Sequence, residues 1–175
     1  MLRFERLLNH LGQRRDATAM SRAFVEELGR SALMVDGAEE MLSALHGSVP
    51  MVLLTNGLSE VQRSRIGISG IDRFFVDVVI SEEVGMQKPD PEIFHLAAAR
   101  AGARAGGRVL MVGDSFSSDI AGSLAAGYDA CWFNEDHGHR RRPEPEGVVP
   151  TYTVTDLGQV PPIIGVCTKT GHAGG

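Results

Sequence analysis

The sequence contains few of the features that mark secreted, membrane-spanning or nucleic-acid-binding proteins. Its two cysteines, Cys131 and Cys167, are too few for a disulfide framework or a four-ligand zinc site. Its apolar runs are all too short to span a membrane. A net charge of −5 opposes general affinity for nucleic acid, because such binding needs a basic surface. These absences predict a reduced, cytoplasmic protein that binds neither membranes nor nucleic acids.

What is present is the composition and patterning of one α/β domain. The 175 residues are 43% hydrophobic and 22% charged, which is ordinary for a globular chain long enough to bury a core. Beyond Met51, short apolar runs alternate with helical patterns, and this alternation predicts βαβ units and a parallel sheet. The predicted strands lie at 51–54, 75–80, 109–112, 130–133 and 152–154. We therefore expect an α/β fold with a Rossmann-like parallel sheet.

The two ends of the chain differ in pattern from this central part. Two amphipathic helices, the second capped by Asp16 and ended by Gly29, predict an opening helical hairpin. A surface loop is expected over 134–150, and the residues after Pro161 show little periodicity. The predicted organisation is a helical segment at 1–34, an α/β core at 35–157 and a disordered tail at 158–175.

Polar residues follow three of the predicted strands. In chain order they are Thr55 and Asn56, then Lys88 after a short loop, then Asp114 with Asp119. Because the carboxyl ends of parallel strands share one edge of the sheet, we expect these residues to converge. A hydroxyl, an ammonium group and carboxylates that hold Mg²⁺ together suit chemistry on a phosphoryl group. Taken singly, each has an ordinary explanation as a turn, a solvated lysine or a helix cap.

These segments resemble three motifs of the haloacid dehalogenase-like (HAD) hydrolase superfamily. Residues 53–57 (Leu-Leu-Thr-Asn-Gly) resemble its second motif, and the Gln-Lys-Pro-Asp-Pro segment around Lys88 resembles its third. Asp114 with Asp119 resembles the fourth. The resemblance implies that Thr55 binds the phosphoryl group, with Asn56 beside it in the catalytic motif. It also implies that Lys88 stabilises the charged intermediate and that the two aspartates serve a Mg²⁺ site.

A narrower resemblance concerns the substrate. Residues 80–85 (Ile-Ser-Glu-Glu-Val-Gly) and 131–134 (Cys-Trp-Phe-Asn) resemble segments of the bacterial pyrimidine 5'-nucleotidases. This resemblance implies a Mg²⁺-dependent phosphohydrolase whose small phosphorylated substrates are nucleoside monophosphates such as UMP and dTMP. The two segments carry no reaction chemistry, so this substrate class rests on analogy.

One motif of the superfamily is missing from this chain. The family's first motif, Asp-x-Asp, supplies the nucleophile and the general acid/base, and no Asp-x-Asp occurs in the sequence. In the family this motif belongs to a first strand, which lies between the strand that ends at Thr55 and the strand before Asp114. Loss of this first strand would leave one edge of each neighbouring strand without a backbone partner. We therefore expect a truncated HAD core that lacks its first strand, carries a partial helical cap and is inactive as this chain.

Two other functions remain open. The first is a non-catalytic remnant of a HAD fold that binds phosphate or a partner through the surviving edge of the sheet. The second is a 2-haloacid dehalogenase of the same superfamily, which needs no metal. The residue pair Gly113 and Asp114 opposes the second function, because a metal-binding acid has no task in that reaction.

Overall fold

The computed structural model describes residues 2–30, 32–135 and 147–166 and has an α/β fold. The helices are α1 (Leu2–His10), α2 (Ala17–Arg30), α3 (Ala38–Leu45), α4 (Ser59–Ser69), α5 (Ser81–Val84), α6 (Pro91–Arg100), α7 (Ala121–Ala125) and α8 (Val160–Ile164). The strands are β1 (Val52–Thr55), β2 (Asp77–Ile80), β3 (Leu110–Gly113), β4 (Asp129–Phe133) and β5 (Tyr152–Val154). In this part of the chain no helix is both long enough and apolar enough to cross a membrane.

The strands form two parallel sheets. β1 pairs with β2, and β4 lies between β3 and β5 in the second sheet. The five predicted strands are therefore confirmed, with ends that shift by one or two residues. Helix α4 lies between β1 and β2 in the chain, and α7 lies between β3 and β4, and helical connections of this kind join parallel strands. The edges of β1 and β3 that face away from these partners pair with no strand among the described residues.

The core lies between the sheets and the helices that cover them. Val79, Ile80 and Ile93 are fully buried, and Phe94 of α6 is 3% exposed. α6 packs closely on α7 because Gly122 has no side chain: a Cβ there would lie 2.8 Å from the Phe94 ring. This contact fixes α7, which follows β3 in the chain, against α6.

The opening hairpin forms as expected, with one difference at its end. Asp16 Oδ1 accepts hydrogen bonds from the backbone N–H groups of Thr18 and Ala19 at 2.8 and 3.1 Å, which confirms it as a helix cap. Gly29 does not end α2. It is buried where α2 crosses α4, and its carbonyl accepts a hydrogen bond from Ser64 Oγ at 3.0 Å. Its small size allows this close crossing, because a Cβ there would meet the Ser64 side chain at 3.2 Å.

The prediction of a disordered tail from residue 158 is wrong for residues 158–166. A 3₁₀ turn (Leu157–Gln159) leads into α8, and Val160 is fully buried in the core that contains β4 and β5. Pro161 stands in the first turn of α8, where a missing N–H group does no harm. Burial of apolar side chains thus outweighs the weak periodicity of this segment. Residues 167–175 and most of the predicted loop at 134–150 lie outside the described residues.

Candidate active site at the carboxyl ends of two strands

The predicted site residues meet at one edge of the fold. Thr55 is the last residue of β1, and Asp114 directly follows β3. Lys88 reaches this edge from the loop between α5 and α6, and Asp119 reaches it from a helical turn after β3. The order of strands and helices therefore brings together residues that lie up to 64 positions apart in sequence.

A buried ion pair connects the two sheets at this edge. Lys88 Nζ lies 2.7 Å from Asp119 Oδ1, and the two side chains are 10% and 7% exposed. The same ammonium group donates a hydrogen bond to the Leu54 carbonyl at 3.0 Å. Lys88 therefore contacts the end of β1 and the segment after β3 at once. Each buried charge depends on the other, because an unpaired one would be strongly destabilising.

Asn56 holds the Lys88 loop against β1. Its side-chain amide donates to the Lys88 carbonyl at 2.9 Å, and its Oδ1 accepts from the Lys88 backbone N–H at 2.9 Å. This reciprocal pair uses both polar groups of the Asn56 side chain and both polar groups of the Lys88 backbone. Asn56 thus positions Lys88 and is itself turned away from open solvent.

The segment after β3 does not begin as an ordinary α-helix. Residues Phe116–Ile120 form a π-helical turn, in which the Ile120 N–H lies 3.3 Å from the Ser115 carbonyl, and α7 begins only at Ala121. The Ser115 backbone N–H donates to Asp119 Oδ2 at 3.1 Å. This side-chain contact across the turn competes with regular helical pairing and aims Asp119 at Lys88.

Gly113 is required by the same arrangement. A Cβ at this position would lie 2.3 Å from Asp119 Oδ2, well inside van der Waals contact. Any larger residue would therefore displace the carboxylate from Ser115 and Lys88. The absence of a side chain at Gly113 therefore makes room for Asp119.

Asp114 has its backbone fixed and its side chain exposed. Its carbonyl accepts a hydrogen bond from the Trp132 indole Nε1–H at 3.2 Å, and the Phe116 ring packs edge-on against that indole at 4.9 Å. Trp132 is 1% exposed, so its ring lies in the core, and the hydrogen bond to Asp114 is a polar role that the sequence did not predict. Asp114 as a whole is exposed at this edge.

Thr55 is half-buried at the end of β1. Its hydroxyl lies 3.4 Å from the Asn56 carbonyl, which is a long hydrogen bond. That carbonyl already accepts a shorter hydrogen bond of 2.9 Å from the Gln62 side-chain amide. The Thr55 hydroxyl can therefore turn to another acceptor at small cost.

A second network supports the loop after β1. The Gly57 N–H donates to Ser81 Oγ at 3.0 Å, and the Ser59 N–H donates to Glu82 Oε2 at 2.7 Å. Glu83 accepts two hydrogen bonds from the Arg63 guanidinium, at 2.9 and 2.6 Å. The Ser-Glu-Glu segment after β2 thus fixes the shape of the loop that directly follows Thr55. In the sequence, this network is indicated by one hydroxyl residue and two acidic residues directly after the buried strand β2.

This network also changes the acidity of Glu83. Hydrogen bonds from Arg63, and then from Ser59, lower the pKa of Glu83 from its ordinary value of 4.5 to about 2. The pair is exposed on the surface, so it is screened by solvent and salt. Glu83 therefore stays ionised throughout the physiological range of pH.

The carboxylates at this edge are the type of donor that Mg²⁺ binds. Asp119 Oδ1 is buried and makes no hydrogen bond among the described residues, although Lys88 Nζ lies close to it. Asp114, five residues earlier in the chain, is an exposed acidic residue. In residues 2–30, 32–135 and 147–166, no cluster of three or more His, Cys, Asp or Glu side chains could hold a metal. Two carboxylates suit Mg²⁺, which takes its remaining ligands from water and substrate phosphate.

Comparison with known proteins identifies the family. The family model described as haloacid dehalogenase-like hydrolase matches residues 2–127. This chain belongs to the haloacid dehalogenase-like hydrolase family. It is 40% identical over 138 residues to pyrimidine 5'-nucleotidase YjjG of Escherichia coli, and this match covers 79% of the chain and 60% of that protein. It is 32% identical over 164 residues to the HAD-hydrolase YfnB of Bacillus subtilis, covering 94% of the chain and 68% of YfnB.

Solved structures of HAD hydrolases share the fold. The crystal structure of Bacillus subtilis YfnB bound to magnesium superimposes with a TM-score of 0.80, at 32% identity, over 93% of this chain and 69% of that one. A 2-haloacid dehalogenase from Pseudomonas syringae superimposes with a TM-score of 0.67, at 27% identity, over 85% of this chain and 60% of that one. The HAD hydrolase therefore has the expected α/β architecture, and it spans about two thirds of these relatives.

Proposed function

We propose that this HAD hydrolase carries the phosphate- and Mg²⁺-binding half of a site for nucleoside monophosphates, and that it does not turn over substrate as this chain. The observation that supports the proposal is the Lys88 ammonium group, held 2.7 Å from Asp119 at the end of the sheet where the exposed residue Asp114 follows β3. The relatives from Escherichia coli and Streptococcus pneumoniae are pyrimidine 5'-nucleotidases, 40% and 32% identical to the chain, and they support the substrate class.

The residues of the edge have complementary tasks toward a phosphate. The Thr55 hydroxyl donates to a phosphate oxygen once it leaves its long contact with Asn56. The Lys88 ammonium group offsets negative charge on the same oxygens, and it acts strongly because it is largely buried. Asn56 is a positioning residue, since it binds the Lys88 backbone and leaves the ammonium group in place.

Asp114 and Asp119 would hold Mg²⁺ at this edge. When bound, the ion supplies charge neutralisation and orientation for the phosphoryl oxygens. Asp119 also lies 2.7 Å from the Lys88 ammonium group and holds it at this edge, so the same carboxylate would serve the cation and the ammonium group. Asp114 is held in place through its backbone by Trp132.

A nucleophile is the missing component. No Asp-x-Asp segment occurs anywhere in the sequence, and the described residues contain no cluster of three or more His, Cys, Asp or Glu side chains that could hold a metal. Binding and charge stabilisation alone do not split the reaction into the two easier steps that a covalent intermediate allows. We therefore expect binding of metal and phosphate without substantial hydrolysis.

The test is a phosphatase assay of the purified 175-residue chain with UMP and Mg²⁺. The proposal predicts no phosphate release above buffer, while inorganic phosphate still binds in a Mg²⁺-dependent manner by calorimetry. Asp114→Ala should abolish that binding. The matched control is Asp72→Ala, because Asp72 is exposed and lies in the turn before β2, at the opposite end of the strands.

Three results would contradict the proposal. Robust UMP hydrolysis that disappears in Asp114→Ala would show a complete phosphohydrolase. Release of halide from a 2-haloacid without Mg²⁺ would favour a dehalogenase, a function also found among the relatives, of which one is a (S)-2-haloacid dehalogenase 30% identical to this chain. Loss of all phosphate and metal binding would leave a remnant that binds a partner.

A further inference from the structure

The backbone carbonyl of Asn56 accepts hydrogen bonds from two side chains in the described part of the chain. The Gln62 side-chain amide donates to it at 2.9 Å, and the Thr55 hydroxyl lies 3.4 Å from the same oxygen. The first distance is that of an ordinary hydrogen bond, whereas the second lies beyond the usual range for a hydroxyl donor. Gln62 is therefore the main partner of this carbonyl, and the contact from Thr55 is weak.

Gln62 starts from a firmly held part of helix α4. It is the fourth residue of this helix, which begins at Ser59. The Ser59 backbone N–H donates to Glu82 Oε2 at 2.7 Å, and the Ser59 hydroxyl donates to Glu83 Oε1 at 2.5 Å. Because the beginning of α4 is anchored in this way, the Gln62 amide reaches Asn56 with little conformational freedom left to lose.

Gly57 leaves space for the Gln62 side chain to cross the loop. Its φ of +143° lies in the region that favours glycine, and a Cβ there would lie 2.8 Å from Gln62 Nε2. Any larger residue at this position would push the amide away from the Asn56 carbonyl. The backbone of the loop and the absence of a side chain at Gly57 thus both allow the contact between Gln62 and Asn56.

The presence of Gln62 determines where the Thr55 hydroxyl can donate. A threonine hydroxyl carries one hydrogen, so it donates to one acceptor at a time. Without the Gln62 amide, the half-buried Asn56 carbonyl would lose its main partner, which is costly. The Thr55 hydroxyl already lies near this oxygen and would replace the lost donor. Its hydrogen would then be used inside the loop.

We propose that Gln62 is a positioning residue, which satisfies the Asn56 carbonyl and so keeps the Thr55 hydroxyl available to a phosphate oxygen. The identity of the phosphate as acceptor rests on the proposed function. The exchange of partners at the Asn56 carbonyl does not, because it involves only residues of this loop and of α4. Gln62 acts through Thr55, so its effect on binding must depend on the Thr55 hydroxyl.

The first experiment measures binding of inorganic phosphate by calorimetry in the presence of Mg²⁺. It compares the parent chain, Gln62→Met, Thr55→Val and the double variant. We expect Gln62→Met to weaken phosphate binding about fivefold, which corresponds to one hydrogen bond. The double variant should bind as Thr55→Val does, because the hydroxyl that Gln62 keeps available is already gone. Gln13→Met is the matched control, since it removes the same amide from an exposed turn and should bind as the parent does.

A different pattern in these four chains would overturn the proposal. Gln62 also holds the backbone of Asn56, whose side chain binds the Lys88 backbone at 2.9 Å. If Gln62 supported the loop or Lys88 only, Gln62→Met would weaken binding by the same factor with and without the Thr55 hydroxyl. Equal factors in the two backgrounds, or unchanged affinity in Gln62→Met, would therefore contradict a role through Thr55.

The second experiment needs neither phosphate nor Mg²⁺. Urea denaturation of the same four chains gives the equilibrium constant of unfolding for each. In the parent, Thr55→Val should change this constant little, because the contact of the hydroxyl is long. In the Gln62→Met background it should raise the constant about fivefold, because the hydroxyl is then the donor to Asn56. The same effect in both backgrounds would overturn the proposal.

The two experiments together separate this proposal from the proposed function. A parent chain that binds no phosphate would count against the proposed function. A larger effect of Thr55→Val on unfolding in the Gln62→Met background would still support the partner exchange. A parent that binds phosphate, combined with equal effects of Thr55→Val in both backgrounds, would keep the proposed function and reject the role of Gln62.

Discussion

The two parts of the cleft between β1 and β3 are built in opposite ways. At the carboxyl end, the Lys88–Asp119 ion pair closes the cleft with side chains that are 10% and 7% exposed. Along the remaining length, apolar walls surround two strand edges that pair with no strand among the described residues. The polar residues of the site thus hold one another in place through side-chain contacts, and among the described residues β1 and β3 have no backbone pairing with each other.

The largest expected effect comes from breaking the ion pair. Asp119→Asn would leave the Lys88 ammonium group buried without its counter-charge, and we expect a loss of about 3 kcal/mol in the free energy of unfolding. Urea denaturation at neutral pH measures this loss. The double variant Lys88→Met with Asp119→Leu is the control, because it removes both charges and should be less destabilised than Asp119→Asn. A loss below about 1 kcal/mol in the single variant would mean that the pair contributes little.

A smaller effect is expected at Gly113. Gly113→Ala places a Cβ against Asp119 Oδ2 and should destabilise the fold by about 2 kcal/mol while weakening Mg²⁺ binding. Gly67→Ala is the matched control, since Gly67 is exposed on α4 and an added Cβ there meets no atom within 4 Å. That control should be neutral or slightly stabilising. Equal losses in the two variants would contradict the close fit at Gly113.

Trp132→Phe tests the connection between the core and Asp114. The change keeps an aromatic ring but removes the N–H group that binds the Asp114 carbonyl. We expect a loss of about 1 kcal/mol from the missing hydrogen bond, in addition to the effect of the smaller ring. Mg²⁺ affinity, measured by calorimetry, should fall with it. Unchanged affinity in a destabilised variant would show that Trp132 acts only as a core residue.

The smallest effect concerns the network on the loop after β1. Glu83 has a pKa lowered to about 2, so its ionised form is favoured in the folded state. Its contribution to stability is present above the ordinary pKa of 4.5 and disappears as the pH falls toward 2. The difference in stability between the parent chain and Glu83→Gln should therefore shrink between pH 5 and pH 2. Thermal denaturation over this range measures it, and a constant difference would contradict the assignment.

The sequence allowed the strands and the site edge to be predicted because both depend on local patterns. Apolar runs followed by turns located β1 and β3, and the rule for parallel strands brought Thr55, Lys88 and Asp114 to one edge. The tail was predicted wrongly because Val160 gains its burial from distant strands, which no local pattern records. The Trp132 contact with Asp114 and the space that Gly113 leaves for Asp119 could not be predicted for the same reason.

A Mg²⁺ titration followed by tryptophan fluorescence tests the central claim most directly. Trp132 is the single tryptophan of the chain, and its indole is bonded to the backbone of Asp114. The account predicts a saturable change in its emission as Mg²⁺ is added, lost in Asp114→Ala and retained in Asp72→Ala. A flat titration of the parent chain, or an unchanged response in Asp114→Ala, would contradict a metal-binding half-site at this edge.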